Sequence, residues 1–172
     1  MREVNFRLEQ DFPGTVDEVA DAFVDPDLFH HLRQVDDLGR PELLEKVDEG
    51  ATVRLRVRYA FTGELSPALT AVVEPSRITW IEESTLDRST HRTEFHIVAD
   101  HYPDRLRCAG HVALHDNGAG GTRRVAEGRL DVRIPFIGGK VERAVVDGLV
   151  DQAASQARVV GEWLVSRRQA QA

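Results

Sequence analysis

The chain has 172 residues, 41% hydrophobic and 30% charged, and Lys+Arg 22 against Asp+Glu 29 leaves a net charge of −7. This length predicts one domain spanning 1–172 that buries roughly 70% of its unfolded surface. The acidic balance argues against a nucleic-acid partner. A lone Cys108 excludes an internal disulfide framework and a CxxC zinc ribbon. The opening MREVNFRLEQDF lacks an apolar leader, and no run reaches the ~18 apolar residues of a membrane span. The expectation is a soluble, cytoplasmic protein, a monomer or weak homodimer.

Val4, Phe6, Leu8 and Phe12 alternate with Asn5, Arg7, Glu9 and Asp11, the pattern of a half-buried strand. Pro13-Gly14 stops it. Thr15 and Glu18 form a capping-box pair, and Val16, Val19, Ala20 and Phe23 follow at helical spacing. Asp25-Pro26 breaks that helix, and 27–32 predict one further short helical segment. From Leu43 to Ile134 the chain reads as strands. Val53, Leu55, Val57 and Tyr59 oppose Arg54, Arg56 and Arg58; later strands begin at Ile78, near Phe95 and at Leu106, and the last runs to Ile134. Leu65 to Val73 reads as an interrupting helical turn, and 117–121 (NGAGG) as a hairpin loop. Strands joined by tight turns predict an antiparallel meander. From Lys140 to about Arg168 there is no proline, and Val141, Val145, Leu149, Ala153, Gln156, Val160, Trp163 and Leu164 recur every three or four residues. That is one apolar stripe on about 42 Å of helix, long enough to lie across the sheet.

Strand, two short helices, six to seven antiparallel strands and one long C-terminal helix is the helix-grip order, an α+β class. Phe6 to Pro13, Val16-Asp17-Glu18-Val19 and Asp25-Pro26 resemble the opening of the START-like (SRPBCC) superfamily, with its polyketide cyclases, plant allergens and lipid-transfer domains. Pro135-Phe136-Ile137-Gly138-Gly139-Lys140-Val141-Glu142 is similar to an uncharacterised bacterial branch, domain-of-unknown-function family 2505. The resemblance covers nearly the whole chain and implies a curved sheet gripping the helix over an apolar cavity. It carries no catalytic signature. A curved sheet cannot touch a straight helix along its full length, and aromatics at 6% leave less to fill the gap.

If Arg88-Ser89 is a two-residue turn, Trp80 pairs with Ile97, Glu82 with Phe95, Ser84 with Thr93 and Leu86 with His91, all on the inward face. Tyr59, Ile78, Trp80, Phe95, Ile97, Cys108, Val145 and Leu149 then line the cavity, with Glu82 and Thr93 as polar contacts. The expected ligand is an apolar or amphipathic small molecule: a lipid, polyketide or isoprenoid. A carboxylate beside buried aromatics has its charged form disfavoured, so Glu82, or His91, could instead move protons in a cofactor-independent cyclase or aromatase. The third possibility is an interaction module with a filled core, marked by a contiguous exposed apolar patch.

Other residues point to ordinary roles. The histidines lack chelating spacing: His30 and His31 point apart, and His111 and His115 lie about 13 Å apart on one strand face. No metal or cofactor is expected. Cys108, on an apolar face, reads as a small buried hydrophobe. Gly138-Gly139-Lys140 lacks the other residues of a P-loop. Arg54, Arg56, Arg58, Arg129 and Arg133, interleaved with Glu127 and Asp131, read as solvated sheet surface.

Overall fold

A computed structural model describes residues 3–136 and 138–172. Ile137, inside the motif that precedes the last helix, and the first two residues of the chain lie outside the described residues. The order of elements is β1 (Glu3–Pro13), α1 (Val16–Ala22), α2 (Pro26–Arg33), β2 (Glu42–Asp48), β3 (Thr52–Ala60), α3 (Pro67–Thr70), a 3-10 turn (Pro75–Arg77), β4 (Thr79–Asp87), β5 (Arg92–Ala99), β6 (Leu106–Asp116), β7 (Gly121–Val132) and α4 (Gly138–Ala170). The seven strands form one antiparallel sheet in the order β1-β7-β6-β5-β4-β3-β2. Only the first and last strands of the meander are brought together out of sequence, as β1 against β7. This is the helix-grip fold that the pattern predicts, with seven strands.

Local chemistry explains the element boundaries. The Thr15 hydroxyl accepts from the Glu18 N–H at 3.2 Å, and Glu18 Oε2 accepts from the Thr15 N–H at 2.8 Å, closing the capping box of α1. Asp25 caps α2, whose first residue is Pro26. Gly110 faces Gly128 across β6 and β7. A Cβ on Gly128 would lie 2.6 Å from the Phe6 ring, and one on Gly110 would overlap the Glu127 carbonyl oxygen. Only glycine permits this approach.

The long helix α4 spans 33 residues, about 50 Å, and packs most closely on β1 and β7. Both its ends are tied down. At the start, Glu142 is buried and its Oε1 accepts the Val132 N–H at 3.0 Å, at the last pair of the β6–β7 ladder. At the far end, Arg167 meets Asp25 at 3.0 Å and Arg168 meets Glu18 at 2.8 Å. The helix is therefore clamped to α1 and α2 as well as to the sheet. No helix among the described residues is long and apolar enough to cross a membrane.

The apolar interior falls into two clusters. One joins Phe12, the apolar sides of α1 and α2, the inward side chains of β3, and Val159 and Val160 of α4. The other joins Phe6, Cys108, Leu130 and Val132 to Phe95, Ile97, Val141, Val145 and Val146. Burying these side chains supplies the main driving force for folding, at about 25 cal/mol per Å². Polar side chains, among them Gln10, Glu82 and Arg124, share the inward face with them.

One predicted register is corrected. The β4–β5 loop is four residues, 88–91, instead of the two-residue turn Arg88-Ser89. The Asp87 carboxylate accepts from the Ser89 N–H at 2.8 Å and its hydroxyl at 2.6 Å, and His91 closes the loop at φ 53°. Trp80 therefore opposes Ala99, Glu82 opposes Ile97, Ser84 opposes Phe95 and Leu86 opposes Thr93. The slip is two residues, and because side chains alternate with period two the inward face keeps its members.

Candidate functional site

The polar residues of the inward face come from several elements. On β1, Gln10 lies between Leu8 and Phe12 on the inward face and is buried. Its amide nitrogen donates to the Ala153 carbonyl of α4 at 2.8 Å and to Gln156 Oε1 at 3.0 Å. Its amide oxygen accepts from Arg124 Nη1 at 2.7 Å. Arg124 is the inward neighbour of Gln10 on β7, and its guanidinium lies 4.5 Å from the Phe23 ring centroid. Hydrogen bond on one side and aromatic face on the other fix its direction.

From β4 comes Glu82, opposite Val57 of β3 and Ile97 of β5. Tyr59 opposes Trp80, and the two rings stack with centroids 5.9 Å apart at 17°. Burial raises the Glu82 carboxyl above its ordinary value, and Arg124 partly offsets this. Burial lowers the Arg124 guanidinium, opposed by Glu82 and then Tyr59. Tyr59 is raised first by burial and then by the nearby Glu82 charge, so it stays a phenol. Cys108 is pushed up to about 12 by burial with a contribution from Glu82, which leaves an inert thiol.

Glu82, Arg124, Tyr59, Trp80 and Ser84 lie on the inward face of the sheet yet each keeps part of its surface accessible. Among the described residues, no ion pair or hydrogen bond closes between Glu82 and Arg124, and the Glu82 carboxylate and Tyr59 hydroxyl have no hydrogen-bond partner. Neither group is sealed, because no fully buried side-chain polar atom among the described residues lacks a partner. A cation and an acid thus face each other across the interior without touching.

The expected site residues fall into three groups. Tyr59, Trp80, Glu82, Thr93, Phe95, Ile97 and Cys108 all lie on the inward face, and Val145 packs on the second apolar cluster. Ile78 precedes β4 and is half-buried, and Leu149 is half-buried one turn beyond Val145. His91 is the exception and its expected place is corrected. Its Nε2 sits 2.7 Å from Asp17 Oδ1 at the start of α1, about 20 Å along the strand from Glu82. The longer loop removes it from the β4–β5 ladder.

Gln10 and Arg124 were not among the expected residues, although the signal is present. Gln10 has the parity of Phe6, Leu8 and Phe12, and Arg124 that of Leu130 and Val132. A polar residue on an apolar face is the informative exception.

The outer face presents a contrasting surface. An open trough of about 950 Å³ runs over Gly110 and Gly128, lined among others by Arg7, His96, His111, Glu127 and Arg129. Its charges answer one another: Arg7 and His111 both meet Glu127, and Arg129 lies 3.8 Å from Glu3. Exposed large apolar side chains among the described residues are scattered over β2, β5, α4 and loops.

Comparison with solved structures shows that this helix-grip fold is shared with other proteins. A protein of Thermus thermophilus matches with TM-score 0.66 at 21% identity, over 95% of this chain and 99% of its own. Norcoclaurine synthase of Thalictrum flavum matches at 0.63 and 14%, over 95% and 87%. The ZhuI aromatase/cyclase of Streptomyces sp. R1128 matches at 0.59 and 15%, over 96% and 94%. At such identities the likeness is one of fold. The chain belongs to DUF2505, a family of proteins of unknown function, whose model matches residues 7–164. No curated protein matches it.

Proposed function

We propose that the protein binds an apolar or amphipathic small molecule in a cavity between α4 and the inward face of β3–β6. The observation that carries this reading is a set of inward polar groups left open: the Glu82 carboxylate and Tyr59 hydroxyl have no hydrogen-bond partner among the described residues, Arg124 has one, to Gln10, and all three residues stay half-buried. Ligand sites are typically apolar walls with a few convergent polar groups. Phe95, Ile97, Cys108 and Val145 supply the wall, Glu82, Arg124 and Tyr59 the polar groups, and Thr93, Ile78 and Leu149 extend the lining. Native mass spectrometry of protein purified gently from its own host, followed by organic extraction, tests this. A bound molecule of defined mass is the expected result. A clean apo mass together with failure to bind added apolar probes overturns the reading.

A second reading, a cofactor-independent cyclase or aromatase, gains from one observation. Glu82 is an acid raised by burial within reach of the charge of Arg124 and of a Tyr59 phenol. An acid raised by burial can act as general acid or base. Glu82→Gln would abolish turnover of an identified polyketide-like substrate while leaving binding intact. Unchanged turnover would remove the role, and His91 offers no substitute for it.

A further inference from the structure

The interior holds one fixed cation whose donors are not all used. Arg124 carries five N–H donors, and one hydrogen bond, to Gln10, is formed among the described residues. Arginine cannot shed its charge in a protein interior, so this cation is permanent. The acid that shares its field, Glu82, does not reach it. A desolvated cation held by a hydrogen bond and an aromatic face, with open donors, is arranged for an anion. The chain places no carboxylate there itself, although it does so for arginine after arginine on the outer face.

We infer that the interior site takes a monoanionic amphipath, its carboxylate head on the Arg124 guanidinium and its apolar body along Phe95, Ile97, Cys108 and Val145. This deepens the binding reading and rests on it. A planar carboxylate matches the guanidinium fork bidentately, which an alcohol or amine cannot do. The second apolar cluster takes in Leu8, which opposes Ala126, and these two lie one inward position from Gln10 and Arg124 on their strands. Head and body are therefore contiguous. Glu82 complements the head when it holds its proton, because a neutral carboxyl donates a hydrogen bond to a carboxylate and a charged one repels it.

Three probes of one chain length, dodecanoate, dodecanol and dodecylamine, separate the outcomes by calorimetric titration below their micelle concentrations. Dodecanoate is expected to bind about tenfold or more tightly than dodecanol, with the amine weakest. Arg124→Gln should bring dodecanoate down to the level of dodecanol, erasing the preference for acid over alcohol. Arg124→Lys, which keeps the charge, should retain part of the preference and serves if the glutamine variant fails to fold. The ranking on the unmodified protein needs no variant at all. Equal binding of acid and alcohol overturns the head-group assignment while leaving the cavity standing. Tightest binding of the amine overturns it in favour of Glu82 as the head-group partner. Binding of none of the three overturns the cavity reading together with this inference.

Discussion

On the outer face of the sheet Arg56 lies 3.5 Å from Glu83 and Arg58 lies 3.2 Å from Asp100. On the inner face Arg124 and Glu82 feel each other's charge, yet no ion pair joins them. The residue types are the same and the outcomes opposite. Outside, water already solvates both charges, so pairing is cheap to make and adds little. Inside, desolvation opposes each charge, and a pair left open costs stability unless something else occupies the space. Arg124, left open where outer arginines such as Arg56 and Arg58 are paired, is thereby available to the proposed anionic head group.

The largest effect that would sharpen this contrast concerns packing. Leu130 is buried at the centre of the second apolar cluster, with 2% of its surface exposed. Leu130→Ala is expected to cost about 2–5 kcal/mol in urea unfolding, through lost transfer energy and a residual cavity. Val98 points outward from β5, and Val98→Ala should cost under about 1 kcal/mol. Comparable losses at both positions would contradict the assignment of faces.

Ligand binding should distinguish the faces next. Trp80→Ala removes an inward ring stacked on Tyr59 and should weaken dodecanol binding about tenfold or more. Arg56→Ala, outward on β3, should leave it unchanged. Equal effects would mean that the ligand does not enter between helix and sheet.

Why one face was easier to read than the other follows from the same contrast. Alternation and capping are local, so β1, the capping box at Thr15 and Glu18, and the start of α2 at Pro26 were all legible. The long helix was legible too, because its apolar stripe has one period throughout. The four-residue loop at 88–91 was not, since its geometry depends on the Asp87 side chain bonding to Ser89. That single event moved His91 from the expected site to Asp17 and slid the register by two. Period-two parity nonetheless kept Glu82 and Phe95 on the inward face. Gln10 and Arg124 come together only through β1 pairing with β7, an association between the two ends of the meander. No local pattern announces that pairing, although the polar breaks in two apolar faces marked both positions.

A buried carboxyl and one at the rim, where the β2–β3 and β4–β5 loops meet, should also respond oppositely to pH. Burial raises Glu82, so the folded protein holds that proton more tightly than the unfolded chain does. Its contribution to stability is therefore lost as pH rises from the ordinary glutamate range, 4.5, through its raised value. Asp48, held by Arg88 and the Gly50 N–H, is lowered to about 2. Its contribution is present above 3.8 and is lost as pH falls through about 2. Urea midpoints followed from about pH 3 to about pH 9 should therefore show Glu82→Gln flattening the alkaline limb and Asp48→Asn flattening the acid limb. A Glu82→Gln variant whose alkaline limb matches the parent would mean that the carboxyl is solvated and not enclosed.

The smallest effect belongs to the outer ion pairs, and it tests the contrast most directly. Arg56 and Glu83 keep 44% and 38% of their side-chain surface exposed at a separation of 3.5 Å. Exposed pairs at such distances contribute about 0–1 kcal/mol, because water competes for both charges and ordering two long side chains costs entropy. A double-mutant cycle of Arg56→Ala and Glu83→Ala should therefore give a coupling below about 1 kcal/mol that shrinks as salt is raised from about 0.05 M to about 1 M. The same cycle with Arg124→Gln and Glu82→Gln should give a coupling that salt changes less, since partly buried charges are screened less than exposed ones. If the inner coupling fell with salt as the outer one does, water and ions would reach Arg124 freely. The interior would then be an open cleft, and the reason for keeping its cation unpaired would disappear.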